Sequence, residues 1–283
     1  MTPTRPVLRY HGGKWMLAPW IIEHFPPHRI YTEAYGGAAS VLIRKPRAKL
    51  VEVYNDLDGE IVNLFRILRE PDDAGALANM LQATPFAREE FALSYQPCLG
   101  RLEQARRTVV RSFMGFGSDS ASGTKTGFRA NGNRQSAHPA KDWSNYPAAV
   151  SDFCERLKGV VIESRPAVEV LLQHDTPETL HYCDPPYMPE TRKESMIRAG
   201  KGYRHEMVDD DHRRLAEVLH ECTGMVVLSG YPSAIYDELY RDWQTVERKA
   251  LADGGSERLE VLWLNDACVN ALEASRQQQR MFA

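Results

Sequence analysis

Asp184-Pro185-Pro186-Tyr187, preceded by the strand-like run Leu180-His181-Tyr182-Cys183, concentrates more chemistry than any other stretch of the chain. A carboxylate and the main-chain carbonyl beside a rigid Pro-Pro can each accept a hydrogen bond from an exocyclic amine. The tyrosine ring offers a surface on which the base carrying that amine can stack. The exocyclic nitrogen of adenine is a poor nucleophile because its lone pair is delocalised into the ring. Acceptors at Asp184 and the Pro185 carbonyl hold its two hydrogens and favour a pyramidal nitrogen, lone pair aimed at an electrophilic methyl. Alignment of nucleophile, methyl and leaving group is the larger contribution, since orientation alone supplies several orders of magnitude in rate. Such a base has to leave the duplex to reach the pocket, where Tyr187 can meet it. The structural alternative is a proline-stiffened turn after a strand.

The device needs strands to carry it. Arg29–Glu33 reads as a short buried strand followed by the turn Tyr35-Gly36-Gly37-Ala38-Ala39-Ser40. Leu50–Tyr54 is a second strand, ending in Asn55-Asp56 and entering a helix with Ile61, Leu64, Phe65 and Leu68 on one face. Val160–Glu163 leads to a helix near Val168–Leu172, and the helix Asp209–Cys222 precedes the apolar strand Met225–Leu228. Strands alternating with helices predict a mostly parallel sheet covered on both faces. Trp243–Val246 and Leu259–Leu264 flank a polar loop with Gly254-Gly255-Ser256 and predict an antiparallel hairpin closing one edge. The stretch 71–146 breaks this rhythm. It holds the basic helix Arg101–Phe113 and a Gly/Ser/Asn-rich tip, Gly115–Asn133, and reads as a helical insertion. The expected layout is a catalytic domain of residues 1–70 and 147–283 carrying a target-recognition insertion of residues 71–146.

A methyl donor has to sit beside the device. A glycine turn after the first strand of an open α/β sheet is the usual place for a nucleotide-like ligand. Asp56, nineteen residues after Gly37, ends the next strand, where a carboxylate can bind ribose hydroxyls. These features alone also fit a nicotinamide-dependent oxidoreductase or a purely structural turn. The turn lacks the full G-x-G-x-x-G that a pyrophosphate needs, whereas S-adenosylmethionine carries no phosphate. At the N-terminus, Arg9-Tyr10-His11-Gly12-Gly13-Lys14 either caps a helix Trp15–Phe25 or brings the Tyr10 ring and the Lys14 ammonium to the cofactor.

Composition bounds the rest. Hydrophobic content of 43% and charged content of 26% are those of an ordinary globular protein. No run is long and apolar enough for a membrane span, and the N-terminus has no signal-peptide stretch. Five scattered cysteines without a C-x-x-C pair argue for reduced thiols in a cytoplasm-like compartment, and against a disulfide framework or structural zinc. Net charge is −3, but residues 101–145 hold eight Lys/Arg against three acids, leaving that segment +5 and the remainder −8. A basic segment on an acidic body is expected of a protein that touches phosphates locally, although a solvated basic helix reads the same way.

With these motifs in hand, the chain resembles a Dam-like, α-class DNA adenine N6-methyltransferase over nearly its whole length. Leu8–Lys14 resembles the family's aromatic-x-G-G-K segment, Thr32–Ser40 its E-P-F-x-G-x-G-S motif and Asn55–Asp58 its D-I-N motif. Tyr182–Tyr187 is nearly the family form, Val227–Tyr231 sits at the next active-site strand, and the C-terminal hairpin with Gly254, Gly255 and Glu260 is similar too. Ala34 stands where the family often has Pro, and Ala39 where it has a second Gly. The resemblance implies a Rossmann-like fold with a seven-stranded sheet, methylating adenine N6 in double-stranded DNA with S-adenosylmethionine, which leaves as S-adenosylhomocysteine, and no metal. It implies cofactor contacts from Tyr10, Lys14, Glu33, Tyr35, Gly37, Asp56 and Asp184. Asp184, Pro185, Pro186 and Tyr187 would handle the base, and Arg9 falls where the family can place a DNA contact. In the insertion, which matches the family's recognition domain only loosely, Arg111, Lys125, Arg129 and Arg134 are DNA-contact candidates on charge, with solvated residues the alternative. Rival readings are N4-cytosine methylation, which usually goes with Ser in place of Asp184, and an inactive DNA-binding relative.

Overall fold

The computed structural model describes residues 2–117, 125–130, 138–188, 204–251 and 257–281. Seven strands, β1 (Ile30–Glu33), β2 (Val51–Asn55), β3 (Val160–Glu163), β4 (Thr179–Cys183), β5 (Met225–Gly230), β6 (Gln244–Leu251) and β7 (Glu257–Leu264), form one sheet. Their order is β3-β2-β1-β4-β5-β7-β6, with the first five parallel and β7 antiparallel to both β5 and β6. Every residue of β4 and β5 is buried, as parallel strands covered on both faces must be. Their runs therefore read as continuous rather than alternating in polarity.

The topology decides where a ligand can bind. From β1 the chain winds outward through β2 to β3, then returns to β4 beside β1 and winds the other way. Outside the carboxyl ends of β1 and β4, helices on opposite faces diverge and leave a crevice. Glu33 ends β1 and Asp184 follows β4, so the glycine turn and the Asp-Pro-Pro-Tyr segment meet across it.

The N-terminal helix is shorter than the expected Trp15–Phe25, spanning only Ala18–Ile22. Pro19 in its first turn sets the start, and Pro26-Pro27 blocks continuation. Other helices follow the sequence pattern closely. Gly59–Arg69 buries Ile61, Val62, Leu64, Phe65, Ile67 and Leu68 and is capped by Asp58, whose Oδ1 accepts from the Glu60 N–H at 3.0 Å.

The segment 71–146 folds as helices Pro71–Ala83, Arg88–Leu93, Arg101–Met114 and Pro139–Ser144. Leu77, Leu81, Val109, Phe113, Trp143 and Tyr146 share one continuous core with Leu64 and Phe65. Tyr146, at the start of helix Tyr146–Leu157, packs on Phe113 at 4.7 Å and donates to the Val7 carbonyl at 2.8 Å. The helical segment is a limb of the same core as the sheet. Beside it, a buried triad ties helix Tyr146–Leu157 to the sheet: Glu52 on β2 accepts from Lys45 and from Arg156, each at 2.6 Å.

Candidate active site

The glycine turn is shaped by contact. A Cβ on Gly36 would lie 2.2 Å from the Tyr54 ring, and one on Gly37 3.0 Å from the Tyr10 ring. Gly37 also has φ +47°, a conformation costly for residues with a side chain. Asp56 fastens the turn, accepting from the Gly37 N–H at 2.8 Å and the Asp58 N–H at 2.7 Å, and burial raises its pKa. Ala39 adopts φ +52°, a left-handed backbone kept despite its methyl. A cavity of about 410 Å³ opens at this turn, a size suited to a small-molecule ligand. Tyr10, Lys14, Glu33, Tyr35, Gly37, Asp56 and Asp184 all line it.

Four groups converge beside the end of β4. The Lys14 ammonium lies 3.0 Å from Asp184 Oδ1 and 3.4 Å from Glu260 Oε1, and donates to the Gly12 carbonyl and the Tyr187 hydroxyl. Tyr187 in turn donates to Glu260 Oε1 at 2.6 Å. Glu260 is 3% exposed, and burial raises its pKa against the opposing pull of Lys14. The residue types of this corner were legible, except that Glu260 carried no role of its own in the sequence. Tyr187 differs from expectation. Its ring is 6% exposed, with Tyr231 at 4.4 Å and the Lys14 ammonium 4.6 Å from its centroid. The stacking surface expected from the motif is covered by an aromatic that sequence reasoning placed only within a strand segment.

Glu33 sits at the crevice floor. Its Oε2 accepts from the Tyr31 hydroxyl at 2.7 Å and the Leu42 N–H at 2.8 Å, tying β1 to helix Ser40–Arg44. Burial outweighs both donors and pushes its pKa from 4.5 to about 8. A carboxyl raised on folding contributes stability that is whole below its unfolded pKa and is lost as pH rises through the folded value. The wild-type chain is therefore expected to lose on the order of 3 kcal/mol between about pH 5.5 and 8.5 relative to Glu33→Gln, which cannot ionise. Urea unfolding of both proteins at the two pH values checks this; parallel slopes would show that Glu33 ionises freely.

The basic segment is largely neutralised within the fold. Arg111, expected at DNA, is 5% exposed and donates to the Ser94 carbonyl and the Glu60 carboxylate. It is a core tie between helices, because its position on Arg101–Met114 faces inward. Arg106 is spent on Glu103, Glu90 and Thr84, and Arg107 on Glu103. Lys125 is exposed. Next to it Phe128 packs between Phe86 at 5.1 Å and Phe91 at 5.8 Å, and the Arg129 N–H donates to the Met114 carbonyl at 2.8 Å. Arg9 is bound through its backbone, donating to Ser112 Oγ at 2.7 Å. Arg134, with the rest of 131–134, lies outside the described residues. Sequence reasoning missed Arg204, which lines the cavity and bonds Asp58 at 2.9 Å. Nothing local signals a pairing so distant in the chain.

The fold also gathers Asp175, His181 and Cys222, whose ligand atoms lie within 4.8 Å of one another despite unremarkable spacing in sequence. Their hydrogen bonds are otherwise committed. Asp175 accepts from His181 Nε2, from the Thr223 N–H and hydroxyl and from the Gly224 N–H, while burial pushes the Cys222 thiol up to about 12. A thiol held protonated is a poor metal ligand.

A doubly wound sheet, a cavity at its switch point and an Asp-Pro-Pro-Tyr corner define a Rossmann-like methyltransferase. A family model of the D12 class N6 adenine-specific DNA methyltransferases matches residues 10–253, and the chain belongs to that family. It is thus an S-adenosylmethionine-dependent enzyme that methylates adenine N6 in DNA, which sets aside the cytosine-directed and nicotinamide-dependent readings. No curated protein matches the chain. Among the described residues no helix is long and apolar enough to cross a membrane.

Proposed function

We propose that the chain acts on double-stranded DNA, drawing the target adenine out of the helix into the corner formed by Asp184, Pro185, Pro186 and Tyr187. The observation that supports this most directly is the placement of Asp184, on the wall of the cavity and held by Lys14 at 3.0 Å. When bound, S-adenosylmethionine supplies the electrophilic methyl. The residues around the cavity suit it: Asp56 presents a carboxylate for ribose hydroxyls, Gly37 admits close approach under the Tyr10 ring, and Glu33, Tyr35 and Lys14 complete the walls. Asp184 and the Pro185 carbonyl accept hydrogen bonds from the two amine hydrogens; as the N–CH₃ bond forms and the S–CH₃ bond breaks, one proton leaves the nitrogen and the other stays. Entry of the base displaces the Tyr231 ring from Tyr187, because rings 4.4 Å apart leave no slot between them. The chemistry calls for no metal.

Plasmid incubated with labelled S-adenosylmethionine and mapped by single-molecule sequencing gives the modified base and its site. A duplex carrying 2-aminopurine at the mapped adenine is then expected to brighten on binding; constant fluorescence would rule out extrusion of the base. Lys125, Arg129, Arg134 and Arg9 serve as the DNA contacts, Arg111 being excluded by its burial. Lys125→Ala and Arg129→Ala are each expected to weaken DNA binding by roughly tenfold or to relax sequence choice, leaving cofactor affinity unchanged. A shift in cofactor affinity alone would remove segment 125–130 from the DNA interface.

A further inference from the structure

Parallel pairing of β4 with β5 matches Tyr182 to Val227 and Cys183 to Leu228, which sets Asp184 beside Ser229. Side chains alternate along a strand, so Tyr182 and Asp184 share a face, and the neighbouring strand presents Ser229 on that same face. The contacts follow from this. The Ser229 hydroxyl donates to Asp184 Oδ1 at 2.9 Å, and Tyr182 lies 3.0 Å from Ser229 Oγ. A serine hydroxyl has a single proton, and here it is committed to the carboxylate, so Tyr182 is the donor to Ser229. Ser229 is fully buried and Tyr182 is 1% exposed, so water does not compete for either bond.

Lys14 also reaches Oδ1. The Ser229 hydrogen bond and the Lys14 ion pair thus fall on one oxygen, and among the described residues none donates a hydrogen bond to Oδ2. An aspartate's last torsion is broad and two-fold, so an unanchored carboxylate turns either oxygen toward the cavity. A hydrogen bond and an ion pair on Oδ1 remove that freedom.

Resting on the proposed role of Asp184, we infer that Tyr182 and Ser229 form a positioning relay that locks the carboxylate with Oδ2 toward the adenine amine. Ser229 does not line the cavity, and Tyr182, which borders it, is only 1% exposed and turns its hydroxyl to Ser229, so both act through the carboxylate. Both act on the rate of transfer by fixing an acceptor whose misplacement by a fraction of an ångström is felt strongly.

The test is steady-state kinetics on the full chain. Ser229→Ala is expected to lower kcat by roughly 30-fold, with KM for DNA and cofactor unchanged. Ser229→Cys, which keeps a weak donor, is expected to fall between it and wild type. Tyr182→Phe is expected to lose roughly threefold, and to lose nothing further in the Ser229→Ala background, because its hydroxyl acts only through Ser229. If Asp184→Ala is dead while Ser229→Ala turns over normally, the relay is wrong and the role of Asp184 stands. Should the Tyr182 and Ser229 effects multiply, or KM rise in step with kcat loss, the two are structural and the relay is equally wrong. If Asp184→Ala turns over normally, both assignments fall together. Should Ser229→Ala not fold, Tyr182→Phe and Ser229→Cys carry the test.

Discussion

Asp184→Ala is expected to lower methyl transfer by about a thousandfold or more at saturating cofactor while DNA affinity stays within a few-fold. The side chain is 17% exposed at the cavity wall, so its loss opens space without breaking a core. Lys14 keeps Glu260 as a partner in the variant, which preserves the corner. What disappears is the acceptor that holds the amine. Asp184→Asn is the sharper experiment. Ser229 donates to Oδ1 and the Lys14 ammonium lies 3.0 Å from it, so the amide must turn its oxygen toward them. Its NH₂ then faces the adenine amine, donor against donor. An isosteric amide is therefore expected to be as inactive as alanine. Single-turnover assays with saturating DNA and cofactor measure the loss; an Asn variant within tenfold of wild type would mean that the amine does not depend on Oδ2.

Much of this was legible in the chain. The strands that carry the site announced themselves by apolar runs ending in Glu33, Asn55-Asp56 and Asp184, and the alternation of strands and helices announced a parallel sheet, whereas the switch point between β1 and β4 belongs to the strand order. The glycine turn was legible because only small residues tolerate the closeness of Tyr54 and Tyr10. What escaped were pairings between distant residues. The register that sets Ser229 beside Asp184 belongs to the sheet, and no local pattern expresses it. Arg111 looked like a phosphate contact because charge is visible in sequence and an ion pair with Glu60 is not. Tyr231 covers Tyr187 for the same reason: the two rings meet only once β4 and β5 are adjacent.

Lys14→Met is expected to destabilise the fold by about 3–5 kcal/mol near neutral pH, more than the loss of its packing explains. Its ammonium is the cation shared by two carboxylates, Asp184 and Glu260, at 3.0 and 3.4 Å, and it is 5% exposed. Without it, two negative groups face each other at a site where burial already raises Glu260. The Glu260 pKa then climbs further above its unfolded value, so the variant's stability is lost as pH rises and returns on acidification. Adding Glu260→Gln removes the uncompensated charge, and Lys14→Met/Glu260→Gln is expected to recover most of the lost stability at neutral pH. Turnover does not return, because Asp184 still lacks the ammonium that helps pin Oδ1. Urea unfolding of the single and double variants near pH 5.5 and 7.5, read beside methyl transfer, separates the two effects. A Lys14→Met protein as stable as wild type at both pH values would show that the corner does not depend on this charge.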